Sequence, residues 1–148
     1  AYVTQTTLSL DDTAEIINIL NNRFPNLYKP KSKDICYATQ NRQDAVKQIA
    51  LEVEMLIVIG STNSSNSNRL KELAERCNIE SVLIDNADDI DWEYIDKFNS
   101  IGITAGASAP ESTVQDVIKS LEGRFDTSST DIGVNNETIY FKLPPELR

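Results

Sequence analysis

The chain has 148 residues, with 23 Asp and Glu against 14 Lys and Arg, and carries a formal charge of −9 with no histidine to adjust it. That is length for one domain of ordinary size, and the acidic balance argues against a nucleic-acid backbone or an anionic membrane surface as the main partner. The lack of histidine excludes Ser-His-Asp and Cys-His catalysis within the chain and argues against zinc.

The first residue is Ala1, not methionine, and Tyr2-Val3 already reads as the inside of a strand, so a fragment or a processed chain is expected. No secretory signal pattern opens it. Ala1-Tyr2-Val3 leads through Thr4-Gln5-Thr6-Thr7 to a helix capped by Ser9, with Asp12 favoured by the dipole. Ala14, Ile16, Ile17, Leu20 and Phe24 give that helix an apolar face. Asp34-Ile35-Cys36-Tyr37 is the next predicted strand. It is followed by the loop Ala38-Thr39-Gln40-Asn41 and a helix facing inward with Ala45, Val46, Ile49, Ala50 and Val53. Met55 to Ile59 is the longest apolar run, a buried strand far too short to span a bilayer. Gly60 and a polar loop then lead to a helix with Leu70, Leu73, Ala74 and Cys77 on one face. Ser81 to Ile84 is a further strand, before the acidic turn Asp85 to Asp89. Ile101 to Thr104 is the last strand of the series. Its loop Ala105 to Ala109 leads to a helix starting at Pro110, with Val114, Val117, Ile118 and Leu121 inward.

Strands alternating with helices predict an α/β fold, a parallel sheet flanked by helices on both faces. Lys29-Pro30-Lys31-Ser32-Lys33 reads as a linker. Residues 1–29, one strand and one helix, are either the end of a preceding domain or an extra sheet member, and 33–122 is a fuller unit. After Gly123 a polar, mobile connector is expected, then a tail strand Glu137 to Leu143 ended by Pro144-Pro145.

Open parallel sheets bind ligands off the carboxyl ends of their strands. The loops predicted there are rich in neutral hydroxyls and amides, and Ser61 to Asn68 are all Ser, Thr or Asn. With helix N-termini behind them they suit a phosphate or diphosphate, assisted by Arg42 and Arg69. The five glycines build neither G-x-G-x-x-G nor a Walker A loop. Cys36 and Cys77 form no C-x-x-C and no disulfide framework, which favours a reducing compartment. Cys77, on an apolar face, is expected to be a buried inert thiol. Cys36 is a core residue, a nucleophile or a metal ligand. Cys36 to Arg42 satisfies C-x5-R, the loop of cysteine-dependent phosphatases, with Cys36 as nucleophile and Arg42 as phosphate binder. Gln43 stands where Ser or Thr is usual, and the loop has no glycine for a tight amide cradle.

Read in order, Tyr2-Val3-Thr4-Gln5-Thr6-Thr7-Leu8-Ser9, Asp34-Ile35-Cys36-Tyr37-Ala38-Thr39, Asn41-Arg42-Gln43, Asn63 to Leu70 and Thr104 to Pro110 resemble the C-terminal half of 4-hydroxy-3-methylbut-2-enyl diphosphate reductase, as does the closing Leu143-Pro144-Pro145-Glu146-Leu147. The resemblance implies a parent oxidoreductase of the non-mevalonate isoprenoid pathway, with three similar α/β domains around a 4Fe-4S cluster. Cys36 would be its third cluster cysteine. Ser64, Ser65, Asn66 and Ser108 would contact the substrate diphosphate, Thr6 would lie near the reacting end, and Thr7 and Thr39 would be further contacts. It also implies ferredoxin or flavodoxin as electron donor, and a bacterial cytoplasm or a plastid-type organelle. Residues 1–29 would end the middle domain, 33–122 would be the third domain and 123–148 the tail. The N-terminal half, with two cluster cysteines, the diphosphate-binding histidines and a proton-delivering glutamate, is absent, so the chain alone is expected to be inactive.

Overall fold

The structure, a computed structural model, describes residues 1–30, 34–127 and 129–132. Its centre is β1 (Met55–Ile59), five consecutive apolar residues, all buried. Such a run tolerates water on neither face and pairs on both flanks. β2 (Glu80–Ile84) and β3 (Ile101–Ala105) lie on either side of it, both parallel, in the order β2-β1-β3. Alternation along β1 then sorts the core into two layers. Met55, Ile57 and Ile59 pack with Ile84, Ile90, Ile95, Ala105, and Val117 and Leu121 of α5 (Glu111–Arg124). Leu56 and Val58 pack with Val46 and Ile49 of α2 (Tyr37–Ile49) and with Leu70, Leu73 and Ala74 of α3 (Ser65–Arg76). The predicted parallel sheet with helices on both faces is therefore present.

Local chemistry sets the joints. Ser64 caps α3 by accepting from the Ser67 N–H at 3.3 Å, and Asn78, with φ 61°, ends it in the left-handed region that Asn tolerates. The acidic turn closes on itself: Asp89 Oδ2 accepts from the Asp85 and Asn86 N–H groups at 3.1 Å. It leads through a 3₁₀ turn (Ala87–Asp89) to the short α4 (Trp92–Ile95). Gly123 does not end α5, which runs on to Arg124. Beyond it Phe125 packs on the Met55 layer and Ile132 on the Leu56 layer.

Four local sequence expectations fail. Ala1-Tyr2-Val3 forms no strand; the segment is irregular, held by the Thr4 N–H donating to Asp34 Oδ2 at 2.8 Å. Asp34 to Tyr37 is not a strand either. Cys36 sits at the N-cap of α2, and Ala38 to Asn41, expected as a loop, are its first turns. With neither glycine nor proline after Tyr37, nothing delays the helix. Likewise Ser65 to Asn68 belong to α3, not to the loop before it.

The helix capped by Ser9 is α1 (Leu10–Arg23), with Ser9 Oγ accepting from the Asp12 N–H at 3.2 Å. Its only buried residue is Thr13, while Ile16 and Ile19 are 57% and 58% exposed and Phe24 is also exposed. Of the expected apolar face, Ala14, Ile16 and Phe24 are exposed and Ile17 and Leu20 are half-buried, so it is covered only in part, and polar bonds hold α1 to the rest. The buried Gln43 side chain of α2 donates to Leu8 O and accepts from the Leu10 N–H, both at 3.0 Å. Lys47 pairs with Asp11 at 2.8 Å, and Arg76 takes the Asp12 carboxylate with both Nη atoms at 2.6 and 3.0 Å. That hydrogen bond from Arg76 holds the Asp12 carboxyl below its ordinary value. The expected strand Glu137 to Leu143, and Lys31 to Lys33 of the expected linker, lie outside the described residues.

Candidate functional site

The carboxyl edge of the sheet gathers the polar residues that the sequence singles out. β1 ends into Gly60, whose N–H donates to Ile84 O at 2.9 Å. β3 ends into Gly106, whose N–H donates to Ile59 O at 2.8 Å. These bonds lock the two turns across the tops of all three strands. α3 starts at this edge because it follows β1, and α2 starts there because it runs back to the foot of β1.

The first turn of α3 carries the centre of the site. Ser65 is exposed and its Oγ accepts the Thr7 hydroxyl at 3.2 Å. Asn66 is only 6% exposed, yet neither its amide nitrogen nor its amide oxygen has a hydrogen-bond partner among the described residues. Ser67, fully buried, has an equally unpartnered hydroxyl. Buried polar atoms without partners cost about 1–3 kcal/mol each, and the unpartnered Asn66 amide lies in the first turn of α3, at the end of a helix that favours anions. Ser108 is exposed in the turn closed by the Ala109 N–H donating to Gly106 O at 3.0 Å.

Thr6 is exposed, and its carbonyl accepts the Cys36 N–H at 3.1 Å, which draws Thr6 and Thr7 to the start of α2. Cys36 is exposed, free and makes no side-chain cap bond. Ser64, Ser65, Asn66, Thr6, Thr7 and Cys36 are therefore brought to one edge, with Ser108 on the neighbouring turn. Thr39 differs: it is 3% exposed inside α2 rather than on a loop.

Both arginines expected to assist are engaged. Arg42 Nη1 donates to Ala105 O at 2.6 Å, tying α2 to the end of β3, and Arg69 pairs with Glu72. The C-x5-R reading fails on the same ground, because residues 37–42 are helix and form no amide cradle around a phosphate. Cys77 is half-buried at the C-cap of α3 rather than buried. Among the described residues no group of three or more His, Cys, Asp or Glu could hold a metal ion, and no helix is long and apolar enough to cross a membrane. Sequence reasoning missed the structural role of Gln43, read as a departure from one motif and as part of another, and the role of Gly60, Ser67 and Gly106. A glycine directly after each of two strands was the available signal.

The family model described as LytB protein matches residues 1–122. The 4-hydroxy-3-methylbut-2-enyl diphosphate reductases of Saccharophagus degradans and Pseudomonas entomophila are 55% and 54% identical to the chain over all 148 residues, which are 48% and 47% of their own lengths. The solved E-1-hydroxy-2-methyl-but-2-enyl-4-diphosphate reductase of Plasmodium falciparum superposes with a TM-score of 0.90 at 36% identity, over 99% of this chain and 46% of that one. The chain spans about half the length of the curated relatives it matches.

Proposed function

The chain belongs to the LytB protein family, and from that membership we propose that it is the C-terminal part of a 4-hydroxy-3-methylbut-2-enyl diphosphate reductase whose sheet edge holds the substrate diphosphate. The observation that carries this reading is the buried, unpartnered amide of Asn66 at the N-terminus of α3. An amide there donates to an anion that the helix dipole also favours. Ser65 and Ser108 add exposed hydroxyls, Ser64 holds the first turn in place, and Thr6 and Thr7 extend the donor set towards Cys36. Thr39, buried behind that start of α2, completes the proposed set. Neutral donors leave the diphosphate bound by many modest bonds rather than by a cationic clamp.

Cys36 is proposed as one thiolate ligand of a 4Fe-4S cluster. An exposed thiol with no bond of its own fits a single ligand, and one thiolate does not hold such a cluster, so the others come from the length of the relatives that this chain does not cover. When bound, the cluster would pass on two electrons from a ferredoxin or flavodoxin, which together with two protons would remove the substrate hydroxyl as water and give isopentenyl and dimethylallyl diphosphate. Residues 1–29 are proposed to end the middle domain, 33–122 to form the third and 123–148 the tail. The uncovered part of the α1 face, with Ile16, Ile19 and Phe24, supports that division, since it has the character of a surface packed against further chain. The segment alone is proposed to be inactive, and its setting to be a bacterial cytoplasm or a plastid-type organelle.

The test joins this chain to the remaining half of the S. degradans reductase and reconstitutes iron and sulfide without oxygen. Turnover and broad absorption near about 400 nm are expected. Cys36→Ser is expected to remove both, and Cys77→Ser to leave both. A Cys36→Ser protein with full absorption and turnover would refute the ligand assignment.

A further inference from the structure

We infer that Ser67 is a positioning residue: it sets the spacing between the Gly60 and Gly106 turns, and through it the approach of Asn66 to Ser108. The inference rests on the anion reading of this edge. Ser67 immediately follows Asn66 in α3, is fully buried, and its hydroxyl finds no partner among the described residues. Its place is explained by what surrounds it. A Cβ built on Gly60 would lie 2.3 Å from Ser67 Oγ, and one built on Gly106 would lie 2.2 Å from the same atom. One hydroxyl therefore fills the space that both glycines leave open. Gly60 and Gly106 are themselves fixed to the strand ends by their N–H bonds to Ile84 and Ile59. The α3 first turn is thus wedged at a set distance from two anchored turns, one of which carries Ser108. Close-packed interiors transmit a change of one methyl group as displacement, so volume at this contact converts into position at the ligand.

The contact distances make the claim specific. With Gly106→Ala, the new methyl meets Ser67 Oγ, but the next nearest atom, Ser67 Cβ, is at 3.5 Å, an ordinary contact. Removing the hydroxyl by Ser67→Ala should therefore cure Gly106→Ala. At Gly60 the same cure fails, because Ser67 Cβ lies 3.1 Å from the new methyl and φ is 156°.

The experiment titrates pyrophosphate into the 148-residue chain and its variants, following backbone amides by NMR below the melting temperature of each. Gly106→Ala is expected to weaken binding about tenfold, the equivalent of modest overpacking. Adding Ser67→Ala is expected to return affinity to within about threefold of the starting chain, whereas Gly60→Ala with Ser67→Ala stays weak. If Gly106→Ala alone does not fold, recovery of folding and binding in the double variant supports the same claim. A double variant that binds as weakly as Gly106→Ala, or that also fails to fold, overturns it. So does Ser67→Ala alone losing as much as Gly106→Ala, which would make the hydroxyl a ligand rather than a spacer. A starting chain that shows no response to pyrophosphate overturns the anion reading itself, and the positioning claim with it.

Discussion

Gln43 is the joint between the first helix and the rest of the molecule, and its removal gives a graded, local effect. Gln43→Met keeps the volume of a side chain that is 2% exposed but deletes its bonds to Leu8 O and the Leu10 N–H, both 3.0 Å long. Two such bonds at about 1–1.5 kcal/mol each sum to about 2–3 kcal/mol. At about 1.4 kcal/mol per factor of ten, that is about 30- to 150-fold in the equilibrium that undocks α1. Lys47–Asp11 and Arg76–Asp12 remain, but exposed pairs contribute little. Hydrogen exchange read by mass spectrometry should show faster exchange through α1 and at the Cys36 amide, which bonds to Thr6 O. The amides of β1 should keep their protection, since none of the lost bonds reaches the sheet. Equal loss in α1 and β1 would mean that Gln43 supports the whole fold, and unchanged α1 exchange would mean that the bracket does not hold it; either result refutes the reasoning. The effect matters for the site, because Thr6 and Thr7 are positioned by the same segment.

Asn66→Leu replaces two unpartnered buried polar atoms with apolar volume, so the unliganded chain should melt at the same or higher temperature, by about 1 kcal/mol or less. The same variant should lose the pyrophosphate response at amides 63–67 and 106–109; a destabilised variant that still responds would contradict both halves. Asp12 gives an acid-side signature. Its folded pKa is depressed by the Arg76 hydrogen bond, so below the ordinary value of 3.8 the unfolded chain binds more protons than the folded one. The stabilisation is present above 3.8 and is lost as pH falls through the depressed folded value. Arg76→Gln should flatten that acid limb in urea titrations across the range, and an unchanged slope would count against the pair.

The parts of the fold legible in the sequence are those where a residue type has one physical solution. Met55 to Ile59 tolerates no solvent on either face, so a central parallel strand follows from the string of letters, and Ser9 before two aspartates has few uses other than a cap. Ile35-Cys36-Tyr37 is different. Three apolar residues suit a strand or a helix start equally, and only packing of Val46 and Ile49 against Leu56 and Val58 decides for the helix. The periodicity of α1 reveals that an apolar face exists but not what covers it. At the site, the Ser and Asn run is visible as chemistry. That Asn66 lies buried without a partner, or that Ser67 lies against two glycines 46 residues apart, depends on distances that no spacing encodes.

The strand order also carries a cost in chain closure. Met55 meets Glu80 across 25 positions but meets Ile101 across 46. By loop entropy alone the second closure costs about 0.5 kcal/mol more than the first. On that ground the pairing of β1 with β2 is expected to form first, with β3 added to the ladder afterwards. Pulse-labelling that protects residues 101–105 before 80–84 would contradict this order. Gly106 can donate to Ile59 only after β3 is in place, so on this order the turn bearing Ser108 is the last part of the edge to be built, and it loses that anchor whenever β3 opens.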